Sequence, residues 1–214
     1  MTRKPANAAN GAAPDSDTKA ARTRARILDA AAHVLSVKGY AGTRLTDVAE
    51  FAEIQAPAIY YYFSSREELI EEVMFSGIGE MRRHLKSILD DLPPEISPMD
   101  KILAAVEAHL RHELELSDYT TASIRNSGQI PEHLRTRQRK EEAAYGRAWR
   151  RLFDDALEAK QLNPELDAKT AQLLVLGALN WAAEWFDSRK FTVDAVVRNA
   201  QILVRNGLQN DDRA

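Results

Sequence analysis

The segment from Gly39 to Leu69 constrains the fold of this chain more than any other part of the sequence. Its first half has apolar residues at helical spacing, which predicts one short helix of about two turns over Leu45, Val48, Ala49 and Ala52. Pro57 predicts the start of a second helix, because its fixed φ suits a first helical turn and its missing N–H would be unpaired there. Two such short helices cannot bury a core alone, and this pairing is typical of a helix-turn-helix, whose second helix enters the major groove of DNA.

The same segment resembles the DNA-binding region of TetR-family transcriptional regulators (TetR/AcrR type). The residues that carry the resemblance are Gly39, Tyr40, Thr43, Asp47, Val48, Ala49, Ala52, Ile54, Ile59, Tyr60, Tyr62, Phe63, Ser65, Arg66, Glu67 and Leu69. Two positions depart from the family pattern. Glu53 stands in the turn where the family often has glycine, so the turn must form without one. Gln55 opens the recognition helix and is followed by the apolar Ala56, Pro57 and Ala58, which leaves few hydrogen-bond donors for base edges.

The resemblance implies an all-α fold of about nine helices, and helical periodicity without strand-like alternation along the chain agrees with it. We expect a disordered polar tail over residues 1–17, a three-helix helix-turn-helix DNA-binding domain over 18–66, and a larger helical ligand-binding and dimerisation domain over 67–214. Charge follows this division. Residues 1–66 hold nine Lys and Arg against six Asp and Glu, whereas residues 67–214 hold twenty against twenty-six. A mildly basic head on an acidic body fits phosphate contact at one end.

The amino-acid composition excludes several other classes of protein. The chain has no cysteine, which excludes a disulfide framework, a thiolate zinc site and a cysteine nucleophile. No apolar run approaches the length of a membrane span, and the N-terminus lacks the apolar stretch of a signal peptide. We therefore expect a cytoplasmic protein with no membrane contact and no cofactor.

The last two predicted helices lack a polar face. The first begins after an N-cap at Asp167 and runs to about Asp187, and the second spans Val193 to Leu208. A helix that is apolar all round must be covered on every side, and no later element is available to cover these two. We expect an isologous four-helix contact in a homodimer, with Leu173, Leu176, Leu179, Val196, Ala200 and Leu203 at the interface. The alternative is a deeply buried helix pair within a monomer.

Each DNA-reading role is carried over from the resemblance. Thr43 and Arg44 would hold phosphate, with Arg44 also near a base edge; Gln55, Ala56, Pro57 and Ala58 would face the major groove; Tyr61 would reach base or sugar; Tyr62 and Arg66 would grip phosphate. Tyr60 and Phe63 are expected in the core. Two heads of a dimer, one or more helical turns apart, would require a palindromic double-stranded DNA operator.

A small-molecule effector is also implied by the resemblance, bound among the middle helices and releasing a repressor from DNA. The expected lining is Met81, Leu85, Val106, Tyr119, Trp149, Phe153, Trp181 and Trp185, although each of these also fits an ordinary core position. The C-terminal half is similar to regulators that answer to acyl-CoA thioesters, and Arg135, Arg137, Arg139 and Lys140 would suit the phosphates of such a ligand. A solvated start of a helix explains these four equally well.

Two other classes of protein remain to be compared with a regulator. An enzyme would need a poised acid, base, nucleophile or metal cluster. His109 and His112 lie near Glu107 and Glu113, but no third ligand is evident and we expect a solvent-facing pair, hence no enzyme. The other class is an architectural or adaptor helical dimer without sequence preference, which only selection from random DNA would separate from a regulator.

Overall fold

The computed structural model describes residues 14–209, with side chains from Lys19 onward, and this part of the chain is all α-helical. Ten α-helices follow in order: α1 (Pro14–Gly42), α2 (Leu45–Phe51), α3 (Ala56–Ile59), α4 (Arg66–Asp90), α5 (Pro98–Arg111), α6 (Asp118–Asn126), α7 (Thr136–Glu158), α8 (Ala168–Asn180), α9 (Ala182–Trp185) and α10 (Val193–Leu208). A π-helical turn (His112–Leu116) extends α5, and a 3₁₀ turn (Glu132–Arg135) precedes α7. The all-α prediction is confirmed.

Two predicted boundaries differ from the structure. Helix α1 already begins at Pro14, so residues 14–17 belong to a helix and not to the expected tail; residues 1–13 of that tail lie outside the described residues. The single helix expected from Asp167 to about Asp187 is divided at Trp181 into α8 and α9. Apolar periodicity continues through this break, because the buried Leu179 and Ala182 lie on either side of it, and periodicity alone therefore does not detect it.

Five helices begin at a side chain that accepts a hydrogen bond from a backbone N–H in the first turn. These N-caps are Ser65 for α4, Ser97 for α5, Ser117 for α6, Asp167 for α8 and Thr192 for α10. Such a cap satisfies one of the N–H groups that a helix start leaves unpaired. The predicted N-cap at Asp167 is confirmed, with its carboxylate 2.8 Å from the Thr170 N–H.

Helix α4 takes part in two separate apolar cores. Its first half, through Leu69, Ile70, Val73 and Met74, packs with α1, α2 and α3 in the core of the head. Its second half, through Ile78, Met81 and Leu85, packs with α5, α7, α8 and α10 in the core of the body. The predicted boundary between residues 66 and 67 falls at the start of α4, and this helix continues from one core into the other.

Helix α6 belongs to the body in sequence but packs against the head. Its Ala122 is fully buried in the head core. It also crosses α4 at Gly77, where a methyl group would overlap the Tyr119 carbonyl and the Ser123 hydroxyl. Glycine is therefore required for this approach, and α6 lies wedged between α1 and α4.

Candidate DNA-binding site and effector cavities

The turn between α2 and α3 is closed without glycine, as predicted. Glu53 adopts a positive φ of 53°, and its N–H donates to the Glu50 carbonyl at 3.1 Å. The next N–H, of Ile54, donates to the Ala49 carbonyl at 2.9 Å. These two bonds form a Schellman motif, in which the left-handed position usually holds glycine. The motif sets the direction in which the chain enters α3.

The recognition helix presents a mostly small surface with one large projecting side chain. Gln55 and Pro57 are exposed and Ala56 and Ala58 are half-buried, while the Tyr61 side chain is 92% exposed. Phe63 is buried, as expected, but Tyr60 is 60% exposed and the prediction that it lies in the core is wrong. Ile59 occupies the inward position of this short helix, and the residue that follows it points away from the core.

Arg66 and Thr43 brace the head internally. The Arg66 guanidinium donates to the Thr43 carbonyl at 2.7 Å and to the Tyr40 carbonyl, and it lies 4.6 Å from the centre of the Tyr40 ring. Thr43 is buried, and its hydroxyl donates to the Gly39 carbonyl at 2.8 Å. Arg44 is exposed at the start of α2. This geometry leaves Arg44 freer to reach phosphate than Thr43, while Tyr62 is half-buried against the head core.

A buried amide joins α6 to the end of α1. Helix α1 is interrupted at Gly39, whose φ is 71°. The fully buried Asn126 accepts the Tyr40 N–H at 2.7 Å and donates to the Leu35 carbonyl at 3.3 Å, so it satisfies backbone groups on both sides of the interruption. Arg125 adds a bond to the Ser36 carbonyl at 2.7 Å. Asn126 and Arg125 therefore fasten the end of α6 to the end of α1.

The predicted effector-lining residues do not surround one common space. Met81, Leu85, Val106, Trp149 and Phe153 are almost fully buried in the body core. Trp181 and Trp185 are 65% and 44% exposed, respectively. Tyr119 lies at the junction of α6 and α1, where its hydroxyl donates to Asp29 at 2.8 Å, and burial together with this bond raises the pKa of its phenol.

A cavity of about 450 Å³ brings two of these residues together. It lies between α4, α6, α7 and α8, and we name it the α6–α8 cavity. Its wall includes Met81 and Trp181 from the predicted set. It also includes Tyr145, Leu176, Ser123 and Arg125. Ser123 and Arg125 belong to the last turn of α6, which ends at Asn126, so this cavity borders the helix that joins the head.

Next to this cavity lies a buried polar cluster that sequence reasoning missed. His109 and His112 are only 1% and 7% exposed, so the expectation of a solvent-facing histidine pair is wrong; Glu113, at 1%, is buried with them. The Tyr145 hydroxyl lies 2.9 Å from His109 Nδ1, and the Glu113 carboxylate lies 3.5 Å from His109 Nε2. Burial raises the pKa of Glu113. His112 Nδ1 lies 2.9 Å from the Thr120 hydroxyl. Burial, and to a lesser degree the charge of the neighbouring His84, lower the pKa of His112 to about 4.

The π-helical turn explains why the helical pattern did not reveal this burial. It adds a residue to the turn that carries His112 and Glu113 and rotates both into the interior. Among the described residues, no group of three or more His, Cys, Asp or Glu side chains is placed to hold a metal ion.

The basic residues expected to meet effector phosphates are mostly engaged with acidic neighbours. Arg137 pairs with Glu72 at 2.8 Å, Arg139 with Glu132 at 2.7 Å, and Arg135 with Glu142 at 3.6 Å. Lys140 is exposed. These pairs favour the alternative reading of this stretch as a charged helix start.

Helices α8 and α10 carry an exposed apolar surface, which we name the C-terminal face. Leu173 and Leu203 are 58% and 74% exposed, and Leu176, Val196 and Ala200 are half-buried behind them. Leu179, the sixth predicted interface residue, is 4% exposed and packs in its own chain's core. An open apolar groove of about 710 Å³ runs between the two helices. In the described residues no helix is both long and apolar enough to span a membrane.

Comparisons with known proteins place both parts of the chain in one family. A family model described as "Bacterial regulatory proteins, tetR family" matches residues 27–73. A second, "Tetracyclin repressor-like, C-terminal domain", matches residues 95–208, more than half of the chain.

Individual relatives agree with these models. The repressor KstR2 of Mycolicibacterium smegmatis is 23% identical over 178 residues, which cover 81% of this chain and 84% of the relative. RutR of Escherichia coli strain K12 is 36% identical over 98 residues, or 45% of this chain and 42% of that protein. A solved structure of AibR with isovaleryl coenzyme A and operator DNA has a TM-score of 0.75 at 17% identity and covers 86% of this chain and 98% of AibR. The chain belongs to the TetR family and is a DNA-binding regulator of transcription.

Proposed function

We propose that the protein is a repressor that binds a palindromic operator as a homodimer and leaves it when a small hydrophobic effector of the acyl-CoA thioester class binds the body. A cytoplasmic location belongs to the same proposal, because the operator is the partner. The observation that carries it is the almost complete exposure of Tyr61, which directly follows the recognition helix α3. The head that presents it is braced by the Arg66 bond to the Thr43 carbonyl, between α1 and α2.

The exposed surface of α3 indicates how bases would be read. Gln55 is the exposed amide there and suits a bidentate pair with adenine, while the Ala56, Pro57 and Ala58 carbons suit thymine methyl groups. One good bidentate pair discriminates by about 1–3 kcal/mol, so a single head selects weakly. Much of the affinity would come from phosphate contacts by exposed cations such as Arg44, and it would fall steeply as salt increases.

Dimerisation through the C-terminal face supplies the second head. Large apolar side chains at 58% and 74% exposure, Leu173 and Leu203, are costly to leave in water, and a second copy of the same face covers them. A two-fold axis through this contact matches the symmetry of a palindrome. The test is Leu203→Glu, which we expect to yield monomers by sedimentation and to weaken operator binding.

The effector is proposed to act through α6. The α6–α8 cavity is bounded by Ser123 and Arg125, and Asn126 follows at the junction with α1. A ligand that displaces α6 would break the Asn126 bonds or move α1 with them, and either change would reposition the head. The AibR complex with isovaleryl coenzyme A and operator DNA supports an acyl thioester as the ligand class.

Selection from random DNA, followed by gel-shift titration, tests the DNA proposal. We expect convergence on a palindrome, weaker binding by Tyr61→Ala and by Arg44→Ala, and unchanged dimers and helicity in both variants. Arg139→Ala, an exposed cation of the body, is the matched control and should bind as the parent does. Indifference to sequence would instead support the architectural or adaptor protein, and unchanged affinity of both head variants would refute the assigned contacts.

Thioester-dependent release tests the effector proposal. Isovaleryl coenzyme A and longer acyl-CoA thioesters are titrated into the operator complex while tryptophan fluorescence is followed, since Trp181 lines the α6–α8 cavity. Release of DNA with a fluorescence change is expected. Failure of every thioester in both readouts would remove this ligand class.

A further inference from the structure

A second concave site lies between α4, α5 and α7 and shares no lining residue with the α6–α8 cavity. This cleft of about 470 Å³, which we name the α4–α7 cleft, has an apolar floor that includes Leu85, Leu89 and Leu152. Five cations line it: Arg82, Lys86, Lys101, Arg147 and Arg151. Only two carboxylates, Asp90 and Asp155, do so.

The excess of positive charge contrasts with the rest of the body. Residues 67–214 hold twenty Lys and Arg against twenty-six Asp and Glu, so a random patch of this region would be acidic. The cleft has the opposite balance. Its cations come from three helices, α4, α5 and α7, of which α7 is distant in sequence from the other two and meets them only in the folded chain.

Three of the five cations have no acidic partner among the residues that the structure describes. Arg82 pairs with Glu141 at 2.7 Å and Lys86 pairs with Asp90. Within the described residues, Lys101, Arg147 and Arg151 form no ion pair. Arg147 and Arg151 also lie one turn apart on the same helix, an arrangement of like charges that destabilises a helix. An anion between them would turn this repulsion into attraction.

We propose that the α4–α7 cleft binds the phosphorylated nucleoside part of the effector. Phosphate oxygens suit the two arginine guanidinium groups and the lysine ammonium, since guanidinium groups hold phosphate through paired N–H donors. A planar base suits the leucine and alanine floor, and arginine planes stack on such rings. This inference rests on the proposed thioester effector, whose coenzyme A portion has this chemistry. It replaces the phosphate contacts expected from Arg135, Arg137, Arg139 and Lys140.

Leu85 and Leu152 also connect the cleft to the core of the body. Both side chains are nearly buried and belong to the same apolar cluster as Met81 and Trp149. A ligand that bridges α4 and α7 at the cleft therefore acts on the helix that continues into the head core.

The test is calorimetric titration of the full-length protein with adenosine 3′,5′-bisphosphate, a fragment that lacks the acyl chain. The double variant Arg147→Gln, Arg151→Gln is expected to bind at least about tenfold more weakly, as loss of charge-assisted hydrogen bonds implies. Lys140→Gln, an exposed cation of the same helix outside the cleft, is the matched control and should bind like the parent. Inorganic pyrophosphate in a parallel titration separates a nucleotide site from a bare phosphate site.

Three results would overturn the assignment: no binding of the bisphosphate by the parent, equal binding by the double variant, or an equal loss in Lys140→Gln. Pyrophosphate binding as tightly as the bisphosphate would overturn the nucleoside part. Operator binding without ligand and dimer formation should be the same in all variants, because the cleft shares no lining residue with α3 or with the C-terminal face. Bisphosphate binding without thioester-dependent DNA release would refute the effector proposal alone, and release unaffected by the double variant would refute the cleft alone.

Discussion

Replacing Gly77 by alanine tests whether the close crossing of α4 and α6 holds the two cores in place. A methyl group on Gly77 would overlap the Tyr119 carbonyl oxygen and the Ser123 hydroxyl and would lie 2.6 Å from the Tyr119 carbonyl carbon. Ordinary carbon–carbon contact is about 3.5 Å or more, so the helices must separate by about 1 Å. The obstacle is largely backbone, which cannot rotate away as a flexible side chain can.

The expected cost follows from the contacts at this crossing. Thr120 donates to the Gly77 carbonyl at 3.2 Å and Ser123 donates to the Met74 carbonyl at 2.9 Å, and separation weakens both buried hydrogen bonds. Each such bond contributes about 1 kcal/mol. Overpacking adds about 1–3 kcal/mol, and the better helix propensity of alanine returns about 1 kcal/mol. Gly77→Ala should therefore destabilise the protein by about 2–4 kcal/mol.

Gly79→Ala is the matched control on the same helix. A methyl group there meets only the far ends of the Arg83 and Glu141 side chains, at 3.2 and 4.0 Å, and both can move. This variant should be as stable as the parent or about 1 kcal/mol more stable. Urea unfolding at one fixed protomer concentration measures both, and gel shift reports the position of the head. Equal stability of the two variants would refute the reasoning, because it would mean that α4 and α6 separate without cost.

Three further changes have defined outcomes. Glu53→Gly places glycine at a left-handed backbone position and should raise the free energy of unfolding by about 0.5–1 kcal/mol, measured by urea unfolding. A lower free energy of unfolding in this variant would show that the turn does not need the left-handed conformation. The pKa of His112 is lowered in the folded protein, so on acidification the unfolded chain binds this proton at a higher pH than the folded chain does. The free energy of unfolding should therefore be highest above about pH 6.5 and should fall as the pH is lowered toward about 4. The expected loss is about 1–3 kcal/mol after screening by water. In His112→Gln, urea unfolding at several pH values should no longer show this loss. Glu113, whose raised pKa acts in the opposite direction, is present in both proteins and cancels in the comparison. Asn126→Ala removes two hydrogen bonds to the backbone of α1, at the Tyr40 N–H and the Leu35 carbonyl, and should cost about 1–3 kcal/mol and weaken operator binding. Gln129→Ala loses one exposed bond at 3.4 Å and should change neither; equal behaviour of the two variants would contradict the joining role of Asn126.

The local elements of this protein could be predicted from the sequence because their causes are local. Pro57 at the start of α3, the N-cap at Asp167 and the limits of α10 all follow from capping and from apolar spacing within one or two turns. The glycine-free turn at Glu53 was predictable for the same reason, since its two closing hydrogen bonds involve neighbours in the chain.

Which side of a helix becomes buried was decided only by tertiary structure. Tyr60 was expected inside and is exposed, because α3 ends at Ile59 and the chain changes direction there. His109 and His112 were expected to face solvent and are buried: His109 packs on the inner side of α5, and the π-helical turn rotates His112 inward. The cations of the α4–α7 cleft come from three helices, and Asn126 meets Tyr40 across 86 positions of sequence. Periodicity describes one helix at a time, whereas these sites depend on how helices pack against each other. The sequence by itself therefore determined the helices and the recognition unit, whereas the packing of α4, α6 and α7 determined which residues line the two cavities and which side chains fasten the body to the head.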